Sequence, residues 1–455
     1  MLLEQLAVIA MFGSFMLLLV LGFPVAWALA GIGFLFAVIG YLAVEFFGAD
    51  LWFTWEGTVG VLNNRIYGIV ANELMVALPL FIFMGIMMDR SGIAERLLHS
   101  MVRLFGGIRG AYAIAVVIVG VLLAASTGIV GASVVLLGML SIGPMLEARY
   151  NKSLAVGTAC SVGTMGILIP PSIMLVLIAD RLGTPDASVG RLFMGAVLPG
   201  VILGALYIIY ILIAAYAKKD FAPSMKRTEP FHYNIILDVA LAVVPPLLLI
   251  VTVLGSIFTG VATTTEAASI GALGGILLAL SNGTLNRHVV ASALHQTSRT
   301  TAFVFAIFIG ATIFAAVLRG LGGDDVVSDA ITGLPFGETG IILTILFVVF
   351  LLGFFLDYVE ITLIVLPLVT PVIFDMGVDP VWFAILFAIC LQTSFLTPPV
   401  GFSLFYIKGV SPPSIKTRDI YIGVAPFLLL QLLTMLMVFV YHPFATWLPG
   451  YVYGN

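Results

Sequence analysis

Proline carries no backbone N–H, so a Pro-Pro pair inside a helix frees two carbonyls at once. Two such pairs stand among glycines and hydroxyl residues within apolar stretches. One lies in Gly163-Thr164-Met165-Gly166-Ile167-Leu168-Ile169-Pro170-Pro171-Ser172, the other in Thr393-Ser394-Phe395-Leu396-Thr397-Pro398-Pro399-Val400-Gly401. In a continuous helix Pro170 would leave the carbonyl of Gly166 without a donor, and Pro171 that of Ile167. Pro398 and Pro399 would do the same to Ser394 and Phe395. Irregular backbone at membrane depth survives only where protein or a polar cavity satisfies it. A sodium ion held by the carbonyls of Gly166 and Ile169 with nearby hydroxyls would do so. The alternative is a plain proline kink, and two copies at equivalent positions argue against it.

Two further apolar stretches, about 111–146 and 337–374, carry turn-forming residues at mid-length. The first has Ser126-Thr127-Gly128-Ile129-Val130-Gly131-Ala132-Ser133 and the second Gly353-Phe354-Phe355-Leu356-Asp357-Tyr358-Val359-Glu360. Where a chain turns inside a membrane, half-helix ends offer N–H groups to an anion and carbonyls to a cation. Close helix packing is the other use for such small residues. Acids inside a membrane are costly and usually functional; Asp357, Glu360, Glu266 and Glu73 are the candidates, with an interfacial position as the alternative for Glu73 and Glu266. Arg65, Arg181 and Arg191 suit headgroup anchoring or the docking of a partner.

The elements that must position these groups follow from composition. The chain of 455 residues is 61% hydrophobic and 9% charged, which no soluble domain could keep in water. Its 19 basic and 23 acidic side chains gather between apolar segments long enough to span a bilayer. Spans are expected near 4–21, 24–46, 73–88, 153–178, 192–217, 235–258, 264–281, 300–318, 380–407 and 420–442. The first reads as a retained helix, since no basic n-region or small-residue cleavage site accompanies it. Cys160 and Cys390 both sit in apolar segments and read as small core residues. Neither a nucleotide-binding glycine pattern nor H-E-x-x-H, G-x-S-x-G or the aspartyl pair of an intramembrane enzyme is visible, which argues against an enzyme.

Arg90, Arg96, Arg103 and Arg109 precede the 111–146 stretch, and Arg149 and Lys152 follow it. Asp324, Asp325 and Asp329 precede the 337–374 stretch, and Asp375 and Asp379 follow it. Basic loops stay in the cytoplasm, so these are re-entrant hairpins from opposite faces. Segments 48–72 and 284–298, too polar to span, are expected to lie in the interface. Pro170-Pro171 and Pro398-Pro399 stand 228 positions apart, Pro144 and Pro371 227 apart, and Phe83 and Phe308 225 apart. The chain therefore reads as all-α and polytopic: a first repeat over 1–217, a cytoplasmic connector over 218–234 and an inverted second repeat over 235–455. Such repeats suit a secondary transporter, because swapped conformations of similar halves open to each side in turn.

These motifs, together with Leu78-Pro79-Leu80-Phe81-Ile82-Phe83-Met84-Gly85 and Thr264-Thr265-Glu266-Ala267-Ala268, resemble the large membrane subunit of TRAP (tripartite ATP-independent periplasmic) transporters over essentially the whole chain. The resemblance implies an elevator-type ion transporter in the bacterial inner membrane, sodium-coupled and importing a small organic acid. It implies a small four-helix membrane subunit as a separate chain and a periplasmic substrate-binding protein. Carried over by position, a first sodium site falls on Ser126, Gly166, Ile169, Pro171 and Glu73, and a second on Gly353, Ser394 and Thr397. Thr127, Gly128, Ser133, Asp357, Pro170 and Pro398 complete the tips and breaks. The first tip lacks the family's Gly-Ser-Ser run, and Glu73 stands where a hydroxyl is common. A stand-alone sodium–dicarboxylate symporter has the same architecture, but its Ser-Asn-Thr tip signature is absent here.

Overall fold

The computed structural model describes residues 2–48, 53–128, 130–218, 220–224, 233–333 and 335–454, and within them the structure is helical throughout. The first repeat holds α1 (Leu2–Val20), α2 (Val25–Phe47), α3 (Leu62–Val70), α4 (Glu73–Arg90), α5 (Ile93–Phe105), α6 (Ala111–Thr127), α7 (Val130–Glu147), α8 (Lys152–Gly163), α9 (Ile173–Leu182) and α10 (Val189–Ala217). The second holds α11 (Tyr233–Phe258), α12 (Thr264–Ser281), α13 (Arg287–Gly320), α14 (Gly323–Thr332), α15 (Glu338–Leu352), α16 (Tyr358–Asp375), α17 (Pro380–Leu396), α18 (Phe402–Val410), α19 (Thr417–Val440) and α20 (Pro443–Tyr453). Among the described residues nine helices are long and apolar enough to cross a membrane. Short turns join α6 to α7 and α15 to α16, and breaks at Pro170-Pro171 and Pro398-Pro399 separate α8 from α9 and α17 from α18. A third pair, Pro245-Pro246, sits inside α11 without ending it.

One expectation is corrected. Residues 284–298 do not form a separate interfacial helix: α13 runs unbroken for 34 residues, about 51 Å at 1.5 Å per residue. No proline or glycine stands between Arg287 and Ile309 to stop it. Polarity at its start sets only where the helix leaves the lipid. The first-repeat counterpart is broken: a π-type turn over Glu56–Gly60 and α3 lead into α4 at a 49° bend. There Asn72 takes the N–H of Leu74 on its side-chain oxygen (3.0 Å).

By contacts the chain divides into two units, 1–76 with 298–380 and 77–297 with 381–455. In the first unit α2 and α13 meet where Gly33 has no side chain to keep Ile313 and Phe314 away. Phe12 and Phe15 of α1 pack against Phe314, with ring centroids 5.4 Å away.

The second unit carries the repeat into its packing. Backbone meets backbone at α8 and α19: a side chain on Gly157 would run into the carbonyl of Gly423, and one on Gly423 into the carbonyl of Ser153. At an offset of 228, Ser153 corresponds to Val381, Gly157 to Ile385 and Gly195 to Gly423. Gly195 of α10 packs on Val381 and Ile385 of α17. The same helix pair is thus built twice with the partners exchanged, as a pseudo-two-fold relation requires.

Candidate functional site

The first break begins with a well-formed helix. Asn151 caps α8 by accepting the N–H groups of Ser153 (2.9 Å) and Leu154 (3.4 Å). The α-helix ends at Gly163 and tightens to a 3₁₀ turn over Thr164–Ile167. Leu168 and Ile169 both donate to the carbonyl of Met165 (3.0 and 2.9 Å), a shared acceptor of the kind seen at helix ends. The Pro170-Pro171 bond is cis, as is Pro398-Pro399.

The freed carbonyls need correction. The carbonyl of Ile167 accepts from the Ser172 hydroxyl (2.6 Å), so Pro171 leaves no orphan there. In the second break the carbonyl of Ser394 accepts from the N–H of Thr397 (3.0 Å), and that of Phe395 from the Ser403 hydroxyl. A serine beyond each Pro-Pro pair therefore closes the carbonyl that the second proline released. Gly166 differs, because Pro170, four residues on, has no N–H to give it.

Hairpin α6–α7 lies against both breaks. Gly128 ends α6 in the left-handed region (φ 57°) with its N–H toward the carbonyl of Ala124 (3.5 Å). A side chain there would collide with Ile173 at the start of α9, so glycine is required by both conformation and space. The carbonyl oxygen of Ala124 lies 3.3 Å from the place a Gly166 side chain would occupy. Gly131, at the start of α7, packs against the ring of Tyr406 on α18. The tip is thus seated between the far halves of both broken helices. The side chains of Ser126 and Thr127 lie outside the described residues. Ser133 is buried (2% exposed), and Ile169 packs on Gly200 of α10.

Gly128, Ser133, Gly166, Ile169, Pro170, Pro171, Ser394, Thr397 and Pro398 belong to the second unit; Glu73, Gly353 and Asp357 belong to the first. Glu73 is the exposed first residue of α4, and Gly353 closes α15 with its N–H on the carbonyl of Val349 (3.0 Å). Ser394 is wholly buried, and the hydroxyl of Thr397 donates to the carbonyl of Thr393 (2.7 Å).

Asp357 and Glu360 have a structural task. Asp357 caps α16, taking the N–H of Tyr358 (2.8 Å), while Glu360 returns to the N–H of Asp357 (2.8 Å). Glu266 makes the same reciprocal cap with Thr263 at α12. Caps of this kind contribute about 1 kcal/mol. Asp357→Ala is expected to lower the unfolding midpoint and reduce uptake, and Asp357→Asn, which keeps a capping oxygen, to restore both. A stable but inactive Asn variant would show instead that the charge itself serves transport.

A polar cluster not singled out from the sequence lies just before the breaks. Thr164 donates to the carbonyl of Ser161 (2.8 Å) and accepts from Nε2 of Gln392 (3.4 Å) and of Gln431 (3.3 Å); Gln431 also donates to Tyr207 (3.0 Å). All four residues are wholly buried. Thr164 stands six residues before Pro170 and Gln392 six before Pro398, so repeat equivalents touch each other. The signal available was an amide in an apolar helix at the 228-residue offset.

Among the described residues no group of three His, Cys, Asp or Glu side chains could hold a metal ion. A sodium site made of carbonyls and hydroxyls needs none. The first break fits it better than the second, since Pro170 has no N–H to give the Gly166 carbonyl and the carbonyl of Ala124 lies against the same residue. The carbonyls of Ser394 and Phe395 already accept one bond each and have one lone pair left.

Paired hairpins, paired broken helices and packing repeated with exchanged partners define the permease of a secondary transporter. The model of the tripartite ATP-independent periplasmic transporter DctM component matches residues 12–444, and the chain belongs to this family. It is therefore a transporter component and not an enzyme. It is 31% identical to the C4-dicarboxylate TRAP transporter large permease protein DctM of Pseudomonas aeruginosa over 82% of this chain and 84% of that one. To the protein of the same description from Vibrio cholerae it is 29% identical over 89% and 92%. The solved Alcanivorax borkumensis YdaH transporter shares the fold, with a TM-score of 0.62 at 15% identity over 86% of this chain and 89% of that one.

Proposed function

We propose that this chain is the permease of a sodium-gradient-driven importer of a small organic acid in the bacterial inner membrane. A periplasmic binding protein delivers the solute, and a small membrane subunit stands beside the permease. The observation that carries the reading is the tip of hairpin α6–α7 held against Ile173 and Tyr406, where the tip meets the start of α9 and the ring of a residue on α18. In this reading the first sodium ion takes the carbonyls of Gly166 and Ala124 with the hydroxyl of Ser126. The hairpins and broken helices move as one block against the remaining helices. The organic-acid class is suggested by the C4-dicarboxylate relatives.

The test is uptake into liposomes holding the permease with its small subunit and binding protein. An inward sodium gradient is expected to drive uptake, and potassium in its place to reduce it to background. Uptake driven equally by a proton gradient without sodium would overturn the coupling. Ser126→Ala is expected to abolish sodium-driven uptake in folded protein, and unchanged uptake would move the site elsewhere.

A further inference from the structure

α5 is an amphipathic helix, burying Ile93, Leu97, Leu98 and Met101 and exposing Arg96 and His99. Between it and helices α11 and α12 lies a pocket of about 260 Å³. Its floor is apolar, from Leu241, Pro245 and Pro246, and one end is polar, from Arg96, Ser281 and Asn282. Asn282 accepts from Nη1 of Arg96 (3.0 Å) and donates to the carbonyl of Ser91 (3.3 Å), which fixes the guanidinium at the mouth. Arg103, further along α5, is paired with Asp238 (3.1 Å). Arg96 has no carboxylate partner among the described residues, and its only fixed neighbour here is a neutral amide. A guanidinium has five N–H donors in a fork that matches a phosphate.

The surroundings identify the occupant. Leu241, which lines the pocket, is 53% exposed, and α11 and α12 are both long and apolar enough to cross a membrane, so the pocket borders helices that meet lipid. The arginines at this end carry the charge expected of a cytoplasmic loop, and basic pockets at that surface attract anionic headgroups. We propose that this groove binds one anionic phospholipid, its phosphate on Arg96 beside Asn282 and an acyl chain along Leu241, Pro245 and Pro246.

The experiment is native mass spectrometry of the full chain in detergent micelles doped with phosphatidylglycerol or phosphatidylcholine. One phosphatidylglycerol is expected to be retained in preference to phosphatidylcholine. Arg96→Gln should weaken retention about fivefold, the effect of one basic residue at a membrane surface, and Arg96→Lys should recover part of it. Ala242 also lines the pocket, and Ala242→Phe, which fills it without altering charge, should weaken retention as well. Equal retention of both lipids, or an Arg96→Gln variant that binds like the parent, would overturn the proposal. So would displacement of the lipid by inorganic phosphate, or a cross-link from Leu241→Cys to the small subunit in native membranes.

Discussion

Gly423→Ala is expected to unfold the second unit's packing at α8 and to abolish uptake, although the change adds one methyl group. The new carbon would press on the carbonyl of Ser153, and the reciprocal change at Gly157 on the carbonyl of Gly423. Neither obstacle is a side chain that can rotate aside; both are backbone in regular helices. Added methylenes in a filled core cost about 1–3 kcal/mol when neighbours can adjust. Here the helices themselves must separate, so the cost should exceed about 3 kcal/mol. Gly195→Ala meets mainly Val381 and Ile385 side chains with one carbonyl, that of Ala445, and should be milder. Gly255→Ala and Gly409→Ala, with open space around them, should be neutral or gain a few tenths of a kcal/mol from the lower chain entropy. Thermal unfolding in detergent ranks the five variants. A Gly423→Ala midpoint equal to that of Gly255→Ala would refute the close approach.

The contrast between these glycines marks what the sequence can and cannot convey. Hairpins and breaks were legible because Pro-Pro, Pro144 with Pro371 and the charge of the flanking loops repeat in step, and composition alone makes intervening segments helical. The helix contact at Gly157 and Gly423 was not legible, since any glycine in an apolar span looks the same until its neighbour is known. The sequence shows which carbonyls the prolines free but not what meets them. Ser172 closes that of Ile167 and Ser403 that of Phe395 because the chain doubles back after each proline, a path that tertiary packing decides. Asp357-Tyr358-Val359-Glu360 also has the Asp-x-x-Glu spacing of a reciprocal helix cap. An acid in an apolar stretch points to function as well, and the local geometry separates the two uses. Polarity over 284–298 suggests a separate interfacial helix, yet no helix breaker stands between Arg287 and Ile309 and α13 runs through.

The polar cluster before the breaks supports the second large effect. Thr164→Val keeps the shape of the side chain and removes its hydroxyl. Gln392 then loses the partner of its Nε2 in a site with no exposure, and its Oε1 is already without a protein partner. Gln431 keeps Tyr207 but loses one of two acceptors. Each buried donor left unpaired costs about 1–3 kcal/mol, so a loss of about 2 kcal/mol or more is expected, although hydrogen bonds between membrane helices often measure below 1 kcal/mol. The low membrane values reflect polar groups that find new partners. Gln392 lies on α17, which is buried from Val381 to Leu396, and has no such freedom. Thr164→Ser should retain stability and uptake. Adding Gln392→Leu to Thr164→Val should recover part of the stability, because both partners are then apolar. It should not recover uptake, since the crossing of the two broken helices upstream of Gly166 and Ser394 would lose its register. A Thr164→Val variant as stable as the Ser variant would remove the cluster from the account.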